Sequence, residues 1–182
     1  MTAPGTPAFG ALQGLRVLDL TQMLAGPYAT MLLADQGADV IKVEPPGGDA
    51  TRRHGPFLPG ARPFDEGGFG AYFGSVNRNK RSIVVDLKSE AGKAQLIAMV
   101  RQADVLVENY RAGVMEGLGL SYETLAAHNP RLVYAALRGF GDPRSGETPY
   151  THWPAYDPVA QAMGGIMGVT GPEVGGAPTK IG

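Results

Sequence analysis

Residues 15–43 read LRVLDLTQMLAGPYATMLLADQGADVIKV and carry the clearest indication of the fold class. Leu15–Leu20 is a short, mainly apolar run that predicts a buried strand, and Asp39–Val43 predicts a second one. Pro27 suits the first position of a helix between them, because its missing N–H has no partner there in any case. Tyr28, Met31, Leu32 and Ala34 are expected to supply its apolar face, and Gly37 is well placed to end it. Strand, helix and strand over about thirty residues predict a right-handed β-α-β unit with parallel neighbouring strands.

The same alternation continues along the chain. Further strands are predicted at Ser82–Asp86, Val105–Val107 and Leu132–Leu137, and Ser89 and Ser121 are expected to cap the helices between them. Alternating strands and helices predict an α/β fold with a mostly parallel, doubly wound, Rossmann-like sheet. Because ligands bind beyond the carboxyl ends of such strands, the loops of interest start at Thr21, Glu44, Asp86, Asn109 and Gly139.

Composition narrows the range of functions. The 182 residues include 43% hydrophobic and 18% charged residues with a net charge of −1, which gives no electrostatic reason to expect nucleic acid or an anionic membrane as partner. Apolar runs fall short of the roughly 20 residues that cross a bilayer, and no secretory signal is visible, so we expect a cytoplasmic protein. Without cysteine, and with three scattered histidines, neither a metal site nor a permanently bound cofactor is expected.

The turn after the first strand argues against dinucleotide binding. A dinucleotide-binding turn reads G-x-G-x-x-G, because glycines let the pyrophosphate approach the backbone. Residues 21–27 read TQMLAGP and hold one glycine. The sequence also has no Walker A lysine motif, no G-x-S-x-G elbow and no histidine–glutamate metal pair.

Six segments, in a fixed order and spacing, carry a resemblance to one known family. They are Leu18–Thr21 with Ala25–Pro27, Gly37–Glu44, Asn79–Ser82 with Asp86–Lys88, Ala103–Val105 with Glu108–Arg111 and Gly113, Gly139–Gly141, and Tyr156–Ala162 with Gly164, Gly165, Thr170 and Gly171. Together they resemble the class III CoA-transferases, the family of formyl-CoA transferase. The resemblance runs from about Leu15 to Gly182.

The resemblance implies an organisation and a chemistry. Residues 15–182 would be the N-terminal part of the large CoA-binding domain, after an extension at 1–14, in a two-domain chain about twice this length that forms an interlocked homodimer. The substrates would be an acyl-CoA donor and a free carboxylic acid. An aspartate would attack the thioester, giving a mixed anhydride and then an aspartyl-CoA thioester, which divides one hard acyl transfer into easier steps.

The resemblance places the nucleophile outside the sequence. In the family it lies in a glycine-flanked turn a few residues after the counterpart of Pro178–Gly182. No catalytic residue is therefore expected within 1–182, and this chain alone is expected to be inactive. Tyr156 and Asp157 are auxiliary candidates beside the thioester, although a helix start capped by Asp157 would explain the pair equally well.

Three loops are implied to contact coenzyme A. Their residues are Gln22, Met23, Leu24 and Ala25; Val85, Asp86, Leu87 and Lys88; and Asn109, Tyr110 and Arg111. Each assignment has a structural alternative. The first loop could simply start a helix, the second could be a strand end capped by charge, and Arg111 could be a solvated surface residue. Some relatives carry histidine and glutamine where Gln22 and Leu24 stand, which weakens the case for polar contacts there. The planar guanidinium group of Arg111 is well suited to donate hydrogen bonds to phosphate oxygens.

Two positions depart from the family. Pro45 and Gly117 stand where relatives often have arginine for the CoA phosphates. Because the dianionic 3′-phosphate requires a cation, Arg52 or Arg53 in the long loop is the candidate replacement, with Arg52 as the residue assigned to the site.

Two other functions are compatible with the implied fold. α-Methylacyl-CoA racemase shares the implied fold, but its base would be a histidine at Tyr156, and tyrosine titrates near pKa 10. A non-catalytic CoA-binding module is the other. The stretch Gly139–Gly171 contains Gly141–Arg144 and Trp153-Pro154. It resembles relatives that handle succinyl-CoA and small dicarboxylates, so a small dicarboxylate is the expected acceptor.

Overall fold

The computed structural model describes residues 10–57, 68–173 and 175–181. Its strands are β1 (Arg16–Asp19), β2 (Asp39–Glu44), β3 (Arg81–Val84), β4 (Val105–Glu108) and β5 (Val133–Ala136). Its helices are α1 (Ala25–Asp35), α2 (Ala71–Asn77), α3 (Glu90–Val100), α4 (Val114–Gly117), α5 (Tyr122–His128) and α6 (Asp157–Met163), with 3₁₀ turns at Ala50–Arg53 and Ile166–Gly168. Within these ranges no helix is both long and apolar enough to cross a membrane.

The chain divides into two compact units. The first runs to Tyr110 and resumes at Val114–Leu137, so it contains the whole sheet. The second consists of Arg111–Gly113 and Arg138–Gly182 and contains α6. The described residues of α6 are all at least partly exposed.

All five strands of the first unit are parallel and lie in the order β3-β2-β1-β4-β5. In β1, Leu18 is paired with Ile41 on one side and Leu106 on the other. This confirms the predicted parallel α/β fold. The chain moves outward from β1 to β3 and then crosses to β4, so the strand order reverses between β1 and β4. Ligands bind at such a switch point in open α/β sheets.

Both faces of the sheet are covered by apolar side chains. Leu18, Leu96 and Leu106 belong to a cluster on one face, whereas Val17 and Val40 belong to a cluster on the other. Successive side chains of a strand point to opposite faces, which accounts for Val17 and Leu18 lying in different clusters. For this reason the apolar residues of β1 and β2 include adjacent pairs, Val17-Leu18 and Val40-Ile41, rather than alternate residues.

Helix α1 differs from its prediction at its start and along its buried face. It begins at Ala25, before Pro27, and its buried side includes Thr30 and Met31, whereas Tyr28 and Leu32 are 49% and 41% exposed. Of the expected apolar face, Met31 and Ala34 are buried as predicted, whereas the prediction for Tyr28 and Leu32 was wrong. The reason is a close approach at Gly26, where an added Cβ would lie 2.4 Å from the Cβ of Thr21. Because Gly26 lies so close to the Thr21 side chain, Gly26 and Thr30, the residue one turn later, both face β1.

The end of α1 follows the prediction. Gly37 has a φ of 98°, its N–H donates to the Ala34 carbonyl at 3.0 Å, and the Ala38 N–H donates to the Leu33 carbonyl at 3.1 Å. This pair of bonds is a Schellman motif, in which glycine takes the left-handed position. The predicted caps of α3 and α5 are also present, because Ser89 accepts from the Gly92 N–H and Ser121 from the Thr124 N–H.

Candidate functional site

Charged side chains are buried at the carboxyl edge of the sheet. Asp19 ends β1, Lys42 and Glu44 lie in β2, and Glu108 ends β4, and each residue is at most 1% exposed. A buried charge is strongly unfavourable unless it is paired and hydrogen-bonded. Each of these groups is therefore expected to hold a specific partner in place.

Asp19 organises the end of β1. Its Oδ1 accepts the Thr21 N–H at 2.9 Å, and its Oδ2 accepts the Thr30 hydroxyl at 2.7 Å and Lys80 Nζ at 2.8 Å. The side chains of Asp19 and Lys80 are 0% and 1% exposed. This one carboxylate therefore joins the loop after β1, helix α1 and the residue before β3.

Lys80 is fully satisfied although it is buried. Besides Asp19, its Nζ donates to the Pro27 carbonyl and to Asn77 Oδ1, both at 2.8 Å. Burial lowers the pKa of Lys80, and the charge and hydrogen bond of Asp19 act in the opposite direction without cancelling that effect. Three acceptors for three ammonium protons indicate a structural anchor rather than a free base.

Lys42 links two loops. Its Nζ donates to the Thr21 carbonyl at 2.8 Å and lies 2.9 Å from Asp49 Oδ2, with side chains of Lys42 and Asp49 that are 2% and 1% exposed. Asp49 in turn caps the 3₁₀ turn by accepting the Thr51 N–H at 2.8 Å and the Thr51 hydroxyl at 2.7 Å. The loops after β1 and β2 are thus fixed to each other.

Glu44 holds Arg52 by a two-point contact. Arg52 Nε and Nη2 donate to the two Glu44 oxygens at 2.7 and 2.6 Å, and Ser82 and the Asp49 N–H also donate to this carboxylate. Burial alone would raise the pKa of Glu44, but hydrogen bonds from Arg52, Ser82 and the Asp49 amide outweigh it and lower the pKa to about 2. The Arg52 guanidinium also stacks 4.0 Å above the ring of Phe73, a cation–π contact.

The first predicted binding loop, Gln22–Ala25, leaves the end of β1 with its side chains outward. Met23 and Leu24 are 41% and 49% exposed, and Met23 has a φ of 69°. A left-handed conformation costs a residue other than glycine about 1–2 kcal/mol. Asn109, from the third predicted loop, accepts the Gln22 N–H at 2.8 Å and donates to the Gln22 carbonyl at 2.7 Å. The structure thus brings the first and third predicted loops together.

In the second predicted loop, the four side chains alternate. Val85 is buried, and its N–H donates to the Glu44 carbonyl at 2.8 Å, while Leu87 packs against the core. Asp86 and Lys88 are exposed, and Asp86 accepts the Lys88 N–H at 3.0 Å. Asp86 and Lys88 are therefore the side chains of this loop that face solvent.

Glu108 and Tyr110 complete the edge at β4. Glu108 accepts the Tyr110 N–H at 2.9 Å and the Tyr134 hydroxyl at 3.1 Å. Burial raises the pKa of the Tyr110 phenol, so this ring remains a neutral group at physiological pH.

The remaining predicted residues lie in the second unit. Arg111 is exposed. Tyr156 is 61% exposed and precedes α6 without a capping side-chain bond, and Asp157 is the first residue of the helix. The alternative in which Asp157 caps α6 is therefore wrong. Asp157 instead accepts Gln161 Nε2 at 2.7 Å and lies 3.7 Å from Lys180 Nζ.

The turn Gly141–Arg144 is also built around a carboxylate. Asp142 accepts the Arg144 N–H at 3.0 Å, Nε at 2.7 Å and Nη2 at 2.9 Å, and Arg138 Nε lies 3.5 Å away. The hydrogen bonds from Arg144 lower the pKa of Asp142 to about 2. Asp142 is therefore ionised at physiological pH and fixes the conformation of this turn.

Sequence reasoning assigned no role to Lys42, Asp49 or Thr30, and it did not identify the partner of Lys80. One signal was available for Lys42, because charged residues are rarely found in strands that are covered on both faces. Asp49, Thr30 and Lys80 gave no comparable signal. Lys80 lies 61 positions from its partner Asp19, and a single polar residue in a loop or a helix does not by itself indicate a buried partner. In the described part of the chain, no group of three or more histidine, aspartate or glutamate side chains is arranged to hold a metal ion.

A doubly wound parallel sheet with a polar, ion-paired carboxyl edge at its switch point defines an α/β protein of the class that binds its ligands at that edge. Among such proteins this chain belongs to CoA-transferase family III, because the sequence model of that family matches residues 12–182. The resemblance found in the sequence is thereby confirmed.

Similar proteins share most of this chain. Succinyl-CoA:mesaconate CoA-transferase of Haloarcula hispanica is 55% identical over 173 residues, which are 95% of this chain and 43% of that protein. Acetyl-CoA:oxalate CoA-transferase of Acetobacter aceti is 50% identical over 183 residues, which cover 100% of this chain and 43% of that protein. A crystal structure of a CaiB/BaiF family protein from Brucella suis has a TM-score of 0.84 at 44% identity and covers 96% of this chain and 44% of that one. The chain thus spans less than half the length of these relatives.

Proposed function

We propose that the protein to which this chain belongs is a CoA-transferase that moves CoA from an acyl-CoA thioester to a free carboxylic acid. The observation that carries this proposal is 55% identity, over 95% of the chain, to a succinyl-CoA:mesaconate CoA-transferase. The polar loops at the switch point of the sheet support it, because that is where such a fold binds its ligand.

A small dicarboxylate is the proposed acceptor. The names of similar transferases pair a CoA thioester with mesaconate, oxalate or glutarate, all of which are dicarboxylic acids. Succinyl-CoA is the proposed donor, since it occurs in the names of relatives at 55% and 46% identity.

The proposed mechanism uses an aspartate encoded just after Gly182. Its carboxylate attacks the thioester carbonyl and expels CoA thiolate, leaving an acyl-aspartyl anhydride. The thiolate attacks the aspartyl carbonyl, which releases the donor acid and leaves aspartyl-CoA. The acceptor carboxylate then displaces the thiolate to form a second anhydride, and attack of the thiolate on the acceptor carbonyl gives the new acyl-CoA and free aspartate. Covalent catalysis of this kind conserves the energy of the thioester.

This chain is proposed to contribute CoA contacts through its three predicted loops. The exposed side chains of Met23 and Leu24 would contact the coenzyme. Residues 85–88 would do so mainly through their backbone, and residues 109–110 through backbone amides and the ring of Tyr110. Lys88 and Arg111 are exposed cations, whereas Nε and Nη2 of Arg52 are bound to Glu44. Lys88 and Arg111 are therefore stronger candidates than Arg52 for phosphate contacts. Tyr156 and Asp157 remain proposed neighbours of the thioester, and the whole enzyme is proposed to be a cytoplasmic homodimer.

The test is an exchange assay on the full-length protein. Succinyl-CoA is incubated with a panel of C2 to C5 dicarboxylates, and new acyl-CoA is measured by chromatography. Formation of the acceptor's CoA thioester, together with a CoA adduct on the downstream aspartate detected by mass spectrometry, is the expected result. The separately expressed 182 residues are expected to show no exchange. Exchange without any aspartyl adduct would contradict the mechanism, and absence of exchange with every acid would contradict the function.

A further inference from the structure

We propose that Lys42 and Asn109 are positioning residues that hold the loop Gln22–Ala25 in the conformation that receives acyl-CoA. This inference rests on the proposed function, which assigns that loop to the coenzyme. The two side chains bind the backbone at the start of the loop and act on the coenzyme only through it.

The backbone at the start of the loop is held entirely by side chains. The Thr21 N–H donates to Asp19 at 2.9 Å, and the Thr21 carbonyl accepts Lys42 Nζ at 2.8 Å. The Gln22 N–H and carbonyl are both bound by the Asn109 amide, at 2.8 and 2.7 Å. Four consecutive backbone groups are thus fixed by residues from the ends of three different strands.

Lys42 has a second contact that makes it more than a local anchor. Its ammonium group pairs with Asp49 at 2.9 Å, and Asp49 caps the 3₁₀ turn that carries Arg52. Since Lys42 itself is 1% exposed, solvent cannot replace either contact. Lys42 therefore sets the position of the loop Gln22–Ala25 relative to the 3₁₀ turn after β2.

What these contacts hold is an unfavourable backbone conformation. Met23, the residue after the fixed pair, has a φ of 69°, which persists only where the surroundings impose it. Met23 and Leu24 then extend into solvent. If Thr21 and Gln22 were released, we expect Met23 to return to a more favourable conformation and the two exposed side chains to move.

The expected kinetic effect is on the coenzyme. A loop that is already in its bound conformation loses little freedom on binding. Loss of the Asn109 amide is expected to raise the KM for acyl-CoA about tenfold, while kcat falls less than about threefold, because the loop is argued to position the coenzyme and not to take part in the chemistry.

The experiment compares Asn109→Leu and Lys42→Met in the full-length enzyme with a matched control, Asn129→Leu. Asn129 also donates its amide to backbone carbonyls, those of Val100 and Ala103, at 2.9 and 2.7 Å, but it lies before β5 at the opposite edge of the sheet. For each variant, thermal stability, KM for succinyl-CoA, kcat, calorimetric affinity for CoA and hydrogen exchange of residues 21–28 are measured. Asn109 is only partly buried, so its variant is informative even if Lys42→Met does not fold.

Faster hydrogen exchange over residues 21–28 and a raised KM in Asn109→Leu, with neither change in an equally destabilised Asn129→Leu, would support the proposal. Equal changes in KM for the two variants, or unchanged exchange in Asn109→Leu, would overturn it. If the wild-type enzyme binds CoA but transfers none, the proposed function fails, while the affinity and exchange data still decide the positioning role. A wild-type enzyme with no affinity for CoA would overturn both.

Discussion

At the carboxyl edge of the sheet, Asp19 and Lys80 meet at 2.8 Å with side chains that are 0% and 1% exposed. At the amino edge, Asp39 and Arg81 meet at 2.6 Å with side chains that are 41% and 62% exposed. The two pairs have similar distances, but water competes for only one of them. A buried pair holds its surroundings because neither charge can be left alone, whereas an exposed pair contributes little. Similar chemistry therefore fixes the loops that follow the strands at one edge and contributes little at the other.

The largest effect is expected when the buried pair is broken. Asp19→Leu would leave the Lys80 ammonium buried without a counter-charge, and the expected loss is about 3–5 kcal/mol in the free energy of unfolding, measured by urea denaturation. The double variant Asp19→Leu with Lys80→Met should lose less, because the uncompensated charge is removed. Asp39→Leu, the same substitution at the amino edge, is the control. If it were as destabilising as Asp19→Leu, the contrast between the two edges would be refuted.

Next in size is the effect of the buried glutamate and its pH dependence. Glu44→Gln weakens the charge-assisted hydrogen bonds from Arg52. The free energy of unfolding is expected to fall by about 2 kcal/mol near neutral pH. The pKa of Glu44 lies at about 2, below its ordinary value of 4.5, so its contribution is complete above pH 4.5 and is lost as the pH falls through about 2. The stability difference between wild type and variant should therefore shrink from pH 5 toward pH 2 in denaturant titrations. A difference that is constant over this range would show that the Glu44 charge has no role in stability.

The contrast between the edges also shows what sequence could and could not predict. Strand positions, parallel pairing and the caps Ser89 and Ser121 follow from local patterns, and the structure contains all of them. The Asp19–Lys80 contact joins residues 61 positions apart, and no local pattern encodes such a pairing. Asn109 was predicted as a CoA contact, but its bond to the Gln22 backbone becomes visible only when the ends of β1 and β4 lie side by side.

Helix α2 illustrates a second limit. Its sequence AYFGSVN contains a glycine, and no side chain caps its start, so local propensity did not distinguish it from the preceding loop. The helix forms where Phe73 packs beneath the Arg52 guanidinium and Asn77 binds Lys80. Tertiary contacts supply most of the stability of so short a helix.

A smaller effect concerns two residues with positive φ, one near each edge. Gly37, at the end of α1, has a φ of 98°, and an added Cβ would lie 3.1 Å from the Gly10 Cα. Gly37→Ala is expected to cost about 1–2 kcal/mol in the free energy of unfolding. Met23→Gly should have the opposite sign and stabilise by up to about 1 kcal/mol, since glycine accepts the left-handed conformation of this loop without strain. Thermal and urea unfolding of both variants would check the signs, and a destabilised Met23→Gly would show that the Met23 backbone is not strained.

The smallest effect is expected at the exposed amino-edge pair. Arg81→Gln removes the guanidinium that donates to both Asp39 oxygens, from Nε at 3.0 Å and from Nη2 at 2.7 and 2.6 Å. Because both side chains remain largely hydrated, the change in the free energy of unfolding should be below about 1 kcal/mol. It should also diminish as salt is raised from 0.05 to about 1 M, where screening reaches within about 3 Å. Glu44→Gln, measured over the same salt series, should keep its effect because the carboxylate is buried. If the two variants responded equally to salt, solvent access would not be what separates the two edges, and the difference would have to lie in hydrogen-bond geometry instead.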